Sequence, residues 1–485
     1  MPDFFYRFRA TERLLGKAEL ERQEIFFCAP DKLNDPIEGF KDIVWQGDTI
    51  VWRSLLKNYV MTLLQVGLVW FSGDPGGPDF VKNAVRVTPE DIADTNIRAM
   101  CDAVFASFLQ DPAVTAFVTV MAVRDKPVRR HELLNYLRAL HPFAAVSVAA
   151  ELVKHGVFGT PNFLASLDLP KLRANAIALI EASRTIRGFP PGDSRTAETA
   201  FAAMESTATQ VELIGEYLMR DQAVSPAIRY FMRYFTTDYI AALDGLVHPD
   251  WYVACFSADP LNAAMWGTYG HGHRGVCLKF RATPNSNNQP ALPLRCATGM
   301  TGDQIIYGYV PFEFRKIEYE AKFPIIDFFR TLGGLRVVQL AHFWYRGDDG
   351  AMSTCREAFR SDEEAWRKQY WQNFAASSGV KTNDWRYEQE YRLVQHSFMF
   401  DLRPDAMRLL SYKFEDLAGI VFGARTALKD KIAIMEIVER KCVAAGRTDF
   451  EFSEIRYAPE SGAFYQTPLS LIRIKLAGLP ASEAG

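Results

Sequence analysis

Two hydrophobic patterns share this chain, and their order constrains the fold more than any single motif. Short apolar runs of strand character stand at the start, FFYRFR at residues 4–9 and EIFFC at 24–28, with a helix-like stretch from Ala10 to Arg22 between them. Strand character returns after Pro249, in WYVACF, GVCLKF, QIIYGYVPF, RKIEYE, YRLVQHSF and GIVFG. From about residue 50 to 245, Ala, Leu, Val and Met recur instead at helical spacing, as in VFASFLQ, HELLNYLRALH, KLRANAIALIEAS and VELIGEYLMR. The simplest architecture is an α+β domain with a mixed sheet, formed by residues 1–50 and 245–460. An all-helical insertion of six to nine helices, residues 51–244, interrupts it, and 461–485 form a C-terminal tail. Within the second half, Phe323 to Ser378 and Lys429 to Ala445 look helical, and FEFSEIRYA looks like a last strand. The stretches Gly73 to Asp79 and Gly188 to Ser194 are expected to be exposed turns or linkers.

At 485 residues the chain can hold two or three domains, or one domain with a large insertion. Apolar residues at 48 % and charged residues at 23 % are ordinary for a globular protein, and aromatics at 13 % allow a large core. A formal net charge of −3 gives no bulk support for nucleic-acid binding, while leaving a local basic patch open. Seven cysteines are scattered singly without CxxC spacing, which points to reduced thiols and a cytoplasmic protein. The opening MPDFFYRFRATERLL has early charges and no apolar core, so no secretory signal is expected. The longest uncharged stretch, between Lys57 and Asp74, is shorter than the roughly 20 apolar residues of a membrane span.

Candidate chemistry gathers in three places. In the first, WYVACFSADPLNAAMWGTYGHGHRGVCLKF (Trp251 to Phe280), a strand, a short helix, a Gly- and His-rich turn and a second strand follow one another. Gly270-His271-Gly272-His273-Arg274-Gly275 is formally G-x-G-x-x-G, but a dinucleotide fingerprint needs its strand before and its helix after, and here the order is reversed. The turn could lend N–H groups to a phosphate, or its glycines could simply let the chain reverse. His271 and His273 lack the further ligands a metal needs nearby, so no metal is expected, and Ser257 lacks a nucleophile elbow.

The second place is Asn34-Asp35-Pro36-Ile37-Glu38. It is either an Asx-type turn or a loop that points Asn34 or Glu38 into a cleft. The third is Trp385-Arg386-Tyr387-Glu388-Gln389-Glu390-Tyr391-Arg392. Read as a strand, it sets Glu388, Glu390 and Arg392 on one face and Tyr387, Gln389 and Tyr391 on the other. That row is either solvated edge decoration or a polar site wall in which Arg392 neutralises the carboxylates.

Together these pieces resemble a bacterial family known only as a domain of unknown function, number 2971, to which phage-exclusion proteins of the AbiGi type look related. The resemblance rests on FFYRFR, on Asn34 to Glu38, on Cys255-Phe256-Ser257 followed by Met265-Trp266-Gly267-Thr268-Tyr269 and Gly275, on Trp385 to Arg392, and on Ile420-Val421-Phe422-Gly423. It covers about half the chain, implies a role in phage defence and carries no activity. The helical stretch is longer than the family leads one to expect.

A weaker resemblance is to ADP-ribosyltransferases of the Arg–Ser–Glu kind, whose order is matched by Arg7 or Arg9, then Ser257, then Glu388-x-Glu390. It implies NAD as substrate and a macromolecular acceptor that the sequence does not name. Breaking the nicotinamide–ribose bond builds positive charge on the sugar, which a carboxylate stabilises. An arginine would hold a phosphate, and Trp266 or Tyr269 would stack on a planar ring. The expected catalytic residues are Glu390, Glu388 and Ser257. The expected ligand-binding residues are Arg7, Arg9, Asn34, Glu38, Trp266, Tyr269, His271, His273 and Arg392. A non-catalytic nucleotide sensor, and a nuclease or other phosphoesterase, are the competing readings.

Overall fold

In the computed structural model, residues 2–73, 77–157, 159, 167–185, 194–219, 225–319 and 322–472 are described. The fold is α+β with a mixed sheet, divided into two compact units. One comprises Met1–Phe40, Asp250–Phe323 and Ala375–Gly485, and the other Lys41–Pro249 and Pro324–Phe374.

The first unit is built on an eight-stranded sheet. Its order is Arg315–Lys316, Glu390–His396, Trp251–Ser257, Phe4–Arg9, Val276–Arg281, Leu417–Phe422, Glu451–Ala458 and Ala463–Pro468. The opening strand thus lies inside the sheet, with Tyr6 opposite Ser257 on one side and Arg7 opposite Leu278 on the other. Neighbours run antiparallel except Leu417–Phe422 and Glu451–Ala458, a parallel pair joined through the helix Leu428–Ala445. That helix buries Ile434, Val438 and Cys442, spaced four apart on one face, and ends at Gly446, whose φ of +64° is the left-handed cap glycine favours. Phe5, Phe256, Leu278, Phe280, Leu393 and Ile420 fill the core beneath. A second sheet closes the core. It runs Glu24–Phe26, Leu409–Tyr412, Pro290–Thr301 and Thr283–Pro284, with Gln304–Glu313 paired to Pro290–Thr301. Tyr412 meets Phe280 edge to face at 5.0 Å.

The second unit is mainly helical. Thr49–Phe71, Thr95–Leu109 and Pro112–Ala122 start at Asp48, Asp94 and Asp111, whose carboxylates accept from the first free backbone N–H groups. Its core holds Trp45, Trp52, Tyr59, Tyr136 and Trp344. No single helix among the described residues is long and apolar enough to cross a membrane.

Three boundaries differ from the sequence reading. Residues 324–374, assigned there to the sheet domain, join the helical unit, where Ile325–Asp327 pairs with Asp42–Trp45 as a short strand instead of opening a helix. Ala463–Pro468 extends the large sheet into the stretch read as a tail, pairing antiparallel with Glu451–Ala458 so that Phe464 stands opposite Tyr457 and Gln466 opposite Ile455. The helix-like stretch after Ala10 is two short turns, Glu12–Gly16 and Glu19–Arg22, broken at Ala18, whose φ is +53°. The turn from Gly73 is described only in part, since 74–76 lie outside the described residues and Gly77–Ala84 is helical. Residues 188–193 also lie outside them, and Ser194 already begins the helix Ser194–Met219.

Candidate functional site

The ends of three neighbouring strands, Phe4–Arg9, Trp251–Ser257 and Glu390–His396, meet the loop after Cys28 around a hollow of about 280 Å³. One end of this hollow is cationic. Arg7 and Arg9 lie two apart in the same strand, and Arg13 and Lys32 also line the space. Arg9 pairs with Glu19 at 3.2 Å, and Arg13 reaches the same carboxylate at 4.0 Å. Arg7 is buried, and no carboxylate pairs with it among the described residues. Its guanidinium donates to the carbonyls of Phe26 (3.0 Å) and Cys255 (3.4 Å), and Nε has no partner among the described residues. Burial, and then the Arg9 charge, hold its pKa well below the usual guanidinium range.

The opposite wall is a chain of alternating charges. Arg392 grips Glu38 through both terminal nitrogens (2.6 and 2.8 Å) and Glu390 through Nε (2.8 Å). Lys381 Nζ then bridges Glu390 (3.2 Å) and Glu388 (2.6 Å), lying 4.6 Å from the centre of the Trp385 ring. The second oxygen of Glu388 accepts from the Tyr269 hydroxyl at 2.6 Å, and that hydroxyl accepts from the Asn34 side chain at 3.0 Å.

Burial alone would raise the Glu390 pKa, but the Arg392 charge and hydrogen bonds, then Lys381, then the Cys255 thiol reverse it and hold it at about 2. Glu38 moves the other way, because burial outweighs the help of Arg392. Lys381 is raised: burial opposes its charge and the two carboxylates overcome it. Tyr269 is raised by burial and then by its bond to Glu388, so its hydroxyl stays protonated.

Of the residues expected from sequence, Arg7, Arg9, Asn34, Ser257, Tyr269, Glu388 and Glu390 line this hollow. Ser257 does so with an occupied hydroxyl, which reaches the carbonyls of Glu388 (3.1 Å) and Asp259 (3.2 Å) and accepts from the Asp259 N–H (3.1 Å). It ties the turn before Glu390 to the end of its own strand. The continuous strand face expected for Glu388, Glu390 and Arg392 is corrected. The strand begins at Glu390, Asn383–Glu388 is a tight helical turn, and Gln389 between them has a φ of +46°. That left-handed residue swings Glu388 round so that both carboxylates reach Lys381.

Five expected ligand contacts do not line the hollow. Glu38 and Arg392 stand behind the wall and brace it. Trp266 is fully buried, its Nε1 donating to the Pro260 carbonyl at 2.6 Å and its ring meeting Phe8 edge-on at 5.0 Å. His273 stacks against Phe464 at 5.3 Å, and His271 is solvent-exposed. The Gly270–Gly275 turn is shaped by packing: a Cβ at Gly275 would come within 2.3 Å of the Arg9 carbonyl oxygen.

The site also uses residues the sequence reading did not assign to it, namely Lys381, Arg13, Lys32, Cys28 and Cys255, the last named only within the Cys255-Phe256-Ser257 motif. Lys32 and Cys28 flank the Asn34 motif and could have been gathered with it. Lys381 sits in an undistinguished SSGVKTND stretch whose only signal is its nearness to Glu388. Among the described residues, no group of three or more His, Cys, Asp or Glu is placed to hold a metal ion. No protein-family model, curated protein or solved structure matches this chain.

Proposed function

We propose that the hollow binds a phosphate-bearing nucleotide and that its chemistry suits cleavage of the glycosidic bond of NAD. The observation that carries this reading is Arg7, a buried guanidinium that lines the hollow and, among the described residues, has an unpartnered Nε and no carboxylate partner. Burying an uncompensated cation is costly unless an anion joins it. Arg9, Arg13 and Lys32 extend the same electrostatic preference toward a phosphate group. At about 280 Å³ the space lies near the lower end of the roughly 300–1,000 Å³ usual for small-molecule sites. A ribose phosphate fills it, with the remainder of a dinucleotide outside.

In this reading Glu388 faces the sugar. The bond between the anomeric carbon and the nicotinamide nitrogen breaks with its electron pair leaving on nitrogen. Glu388 offsets the charge that develops on the ribose, and water or an acceptor nucleophile adds to that carbon and loses a proton. Glu390 is an electrostatic brace, since Arg392 and Lys381 already hold its charge. Ser257 orients the turn that carries Glu388. A second reading, a nucleotide sensor without turnover, is favoured by one observation: both oxygens of Glu388 are already engaged, by Lys381 and Tyr269.

Kinship with the family of unknown function number 2971 belongs to the same proposal. It is supported by hydrogen bonds that join Asn34, Tyr269 and Glu388, three residues of its motifs. A place in phage defence and in the cytoplasm follows from that kinship and from the seven free thiols.

Calorimetry with NAD and ADP-ribose, alongside chromatographic detection of nicotinamide release, tests both readings. Binding lost in Arg7→Met together with turnover lost in Glu388→Gln supports the enzyme. Binding without nicotinamide release supports the sensor. Absence of binding by any nucleotide, with the fold intact, ends both.

A further inference from the structure

The charges at the cationic end of the hollow do not balance. Arg9 spends its charge on Glu19 at 3.2 Å, and Lys32 stands 3.6 Å from Asp31. Arg7 has no carboxylate partner among the described residues, and Arg13 only shares Glu19, at 4.0 Å. Four cations thus meet two carboxylates, which leaves a surplus of two positive charges beside a space of about 280 Å³. A terminal phosphate monoester carries about −1.5 to −2 charges at neutral pH, all on one phosphorus. Each phosphate inside a dinucleotide is a diester and carries one. The terminal group therefore brings the matching charge within the volume of a single ribose phosphate.

The opposite wall has no proton to spare. The Tyr269 hydroxyl donates to Glu388 at 2.6 Å, and Lys381 Nζ donates to Glu388 and Glu390. Glu388 uses both oxygens as acceptors, and Glu390 is gripped by Arg392 and Lys381. The Ser257 hydroxyl is directed at the carbonyls of Glu388 and Asp259. Tyr6, Cys28 and Cys255 also line the hollow, and burial pushes each of them up. That moves them away from the range in which a general acid works near neutral pH. A neutral nucleobase leaves its sugar as an anion unless an acid protonates it. A pyridinium base takes the bonding pair onto a nitrogen that is already positive, and departs neutral.

Resting on the nucleotide-cleaving reading of this hollow, we propose that its substrate class is the pyridinium ribosides with a terminal phosphate. The adenylyl half of NAD is then dispensable, and nucleotides with neutral bases occupy the site without being cleaved. The bond between the anomeric carbon and the pyridinium nitrogen breaks, and its electron pair neutralises the nitrogen. Water adds to the carbon through its oxygen and releases one proton to solvent. Nicotinamide mononucleotide and water thus become nicotinamide, ribose phosphate and a proton.

Chromatography of released base tests this, with the full chain given nicotinamide mononucleotide, NAD, nicotinamide riboside or UMP. The mononucleotide is expected to be cleaved with a kcat/KM at least within about tenfold of that for NAD, and the riboside, which lacks phosphate, at least about a hundredfold less well than the mononucleotide. UMP is expected to compete with the mononucleotide and to release no uracil. Cleavage of NAD without cleavage of the mononucleotide overturns this inference and leaves the reading of an NAD-cleaving site standing. Equal turnover of the riboside, uracil release from UMP or failure of UMP to compete each overturns it in the same way. No nicotinamide from any of the three pyridinium compounds removes the underlying enzymatic reading, and this inference falls with it.

Discussion

Arg392 holds both carboxylate oxygens of Glu38, at 2.6 and 2.8 Å, although the two residues stand 354 positions apart in sequence. Neither side chain reaches solvent. The pair fastens the loop carrying Asn34 to the strand carrying Glu390, and so sets the depth of the candidate site.

Removing one partner of such a pair strands the other. Arg392→Met leaves Glu38 buried without a cation and Glu390 with Lys381 alone, and is expected to cost about 3–5 kcal/mol of unfolding free energy. Arg392→Lys keeps the charge, loses the two-pronged geometry and should cost less. Urea denaturation measures both, and a loss under about 1 kcal/mol for Arg392→Met would show that the pair does not brace the fold.

Acid should weaken the protein in two stages. His141 is held at about 4 by burial, its Nε2 donating to the Phe231 carbonyl (2.8 Å) while Nδ1 accepts from Tyr59 (2.7 Å). A histidine depressed in this way contributes stability above its ordinary 6.5 that is lost as pH falls toward 4. Glu390, depressed from 4.5 to about 2, contributes stability above 4.5 that is lost as pH falls toward 2. Each is worth on the order of 3 kcal/mol at neutral pH, from about 1.4 kcal/mol per pH unit. Unfolding free energy measured from pH 7 to 3 should therefore decline first through the histidine window and again below 4.5. His141→Gln should reduce the first decline, which His248, held at about 3 by burial and then by the Lys41 charge, shares, and Glu390→Gln should reduce the second.

Ser257→Ala separates a structural hydroxyl from a nucleophile. Loss of its bonds to the turn before Glu390 is expected to cost about 1–3 kcal/mol of stability. Nucleotide affinity, followed by calorimetry, should fall by less than about tenfold, or 1.4 kcal/mol. Complete loss of turnover with stability unchanged would contradict the structural role.

Gly275→Ala should be severely destabilising, by about 3 kcal/mol or more, because the new Cβ would press on the backbone oxygens of Arg9 (2.3 Å) and Gly270 (2.9 Å), neither of which can swing away. Thermal unfolding checks this directly. Gly272, where a Cβ meets nothing closer than 3.7 Å but φ is +60°, should tolerate Asn far better.

The α+β class was legible because two spacings of apolar residues, near two and near 3.6, divide this chain cleanly. The gathering of Asn34, Tyr269, Glu388 and Glu390 was suggested by residue type together with the order of the motifs that carry the resemblance. Its geometry was hidden, since a positive φ at Gln389 follows from tertiary contacts and not from any local preference of glutamine. Lys381 was hidden for a related reason: one lysine after a helix looks solvated until the carboxylates it bridges are known. Trp266 and His273 misled because an aromatic ring suits a core as well as a ligand platform, and only neighbours such as Phe8 and Phe464 distinguish the two.

The sheet that holds the candidate site is stitched from stretches of chain on either side of the helical unit, with Phe4–Arg9 pairing to strands that begin at Trp251 and Val276 and with Glu390 later still. A ribosome emits these pieces in order, at about 5–20 residues per second. For many seconds the first strand is out with no partner to receive it, while the helices that follow can already pack among themselves. The hollow thus comes into being only near the end of synthesis, and an interrupted product lacking Glu390 carries its cationic end without the strand that completes the opposite wall.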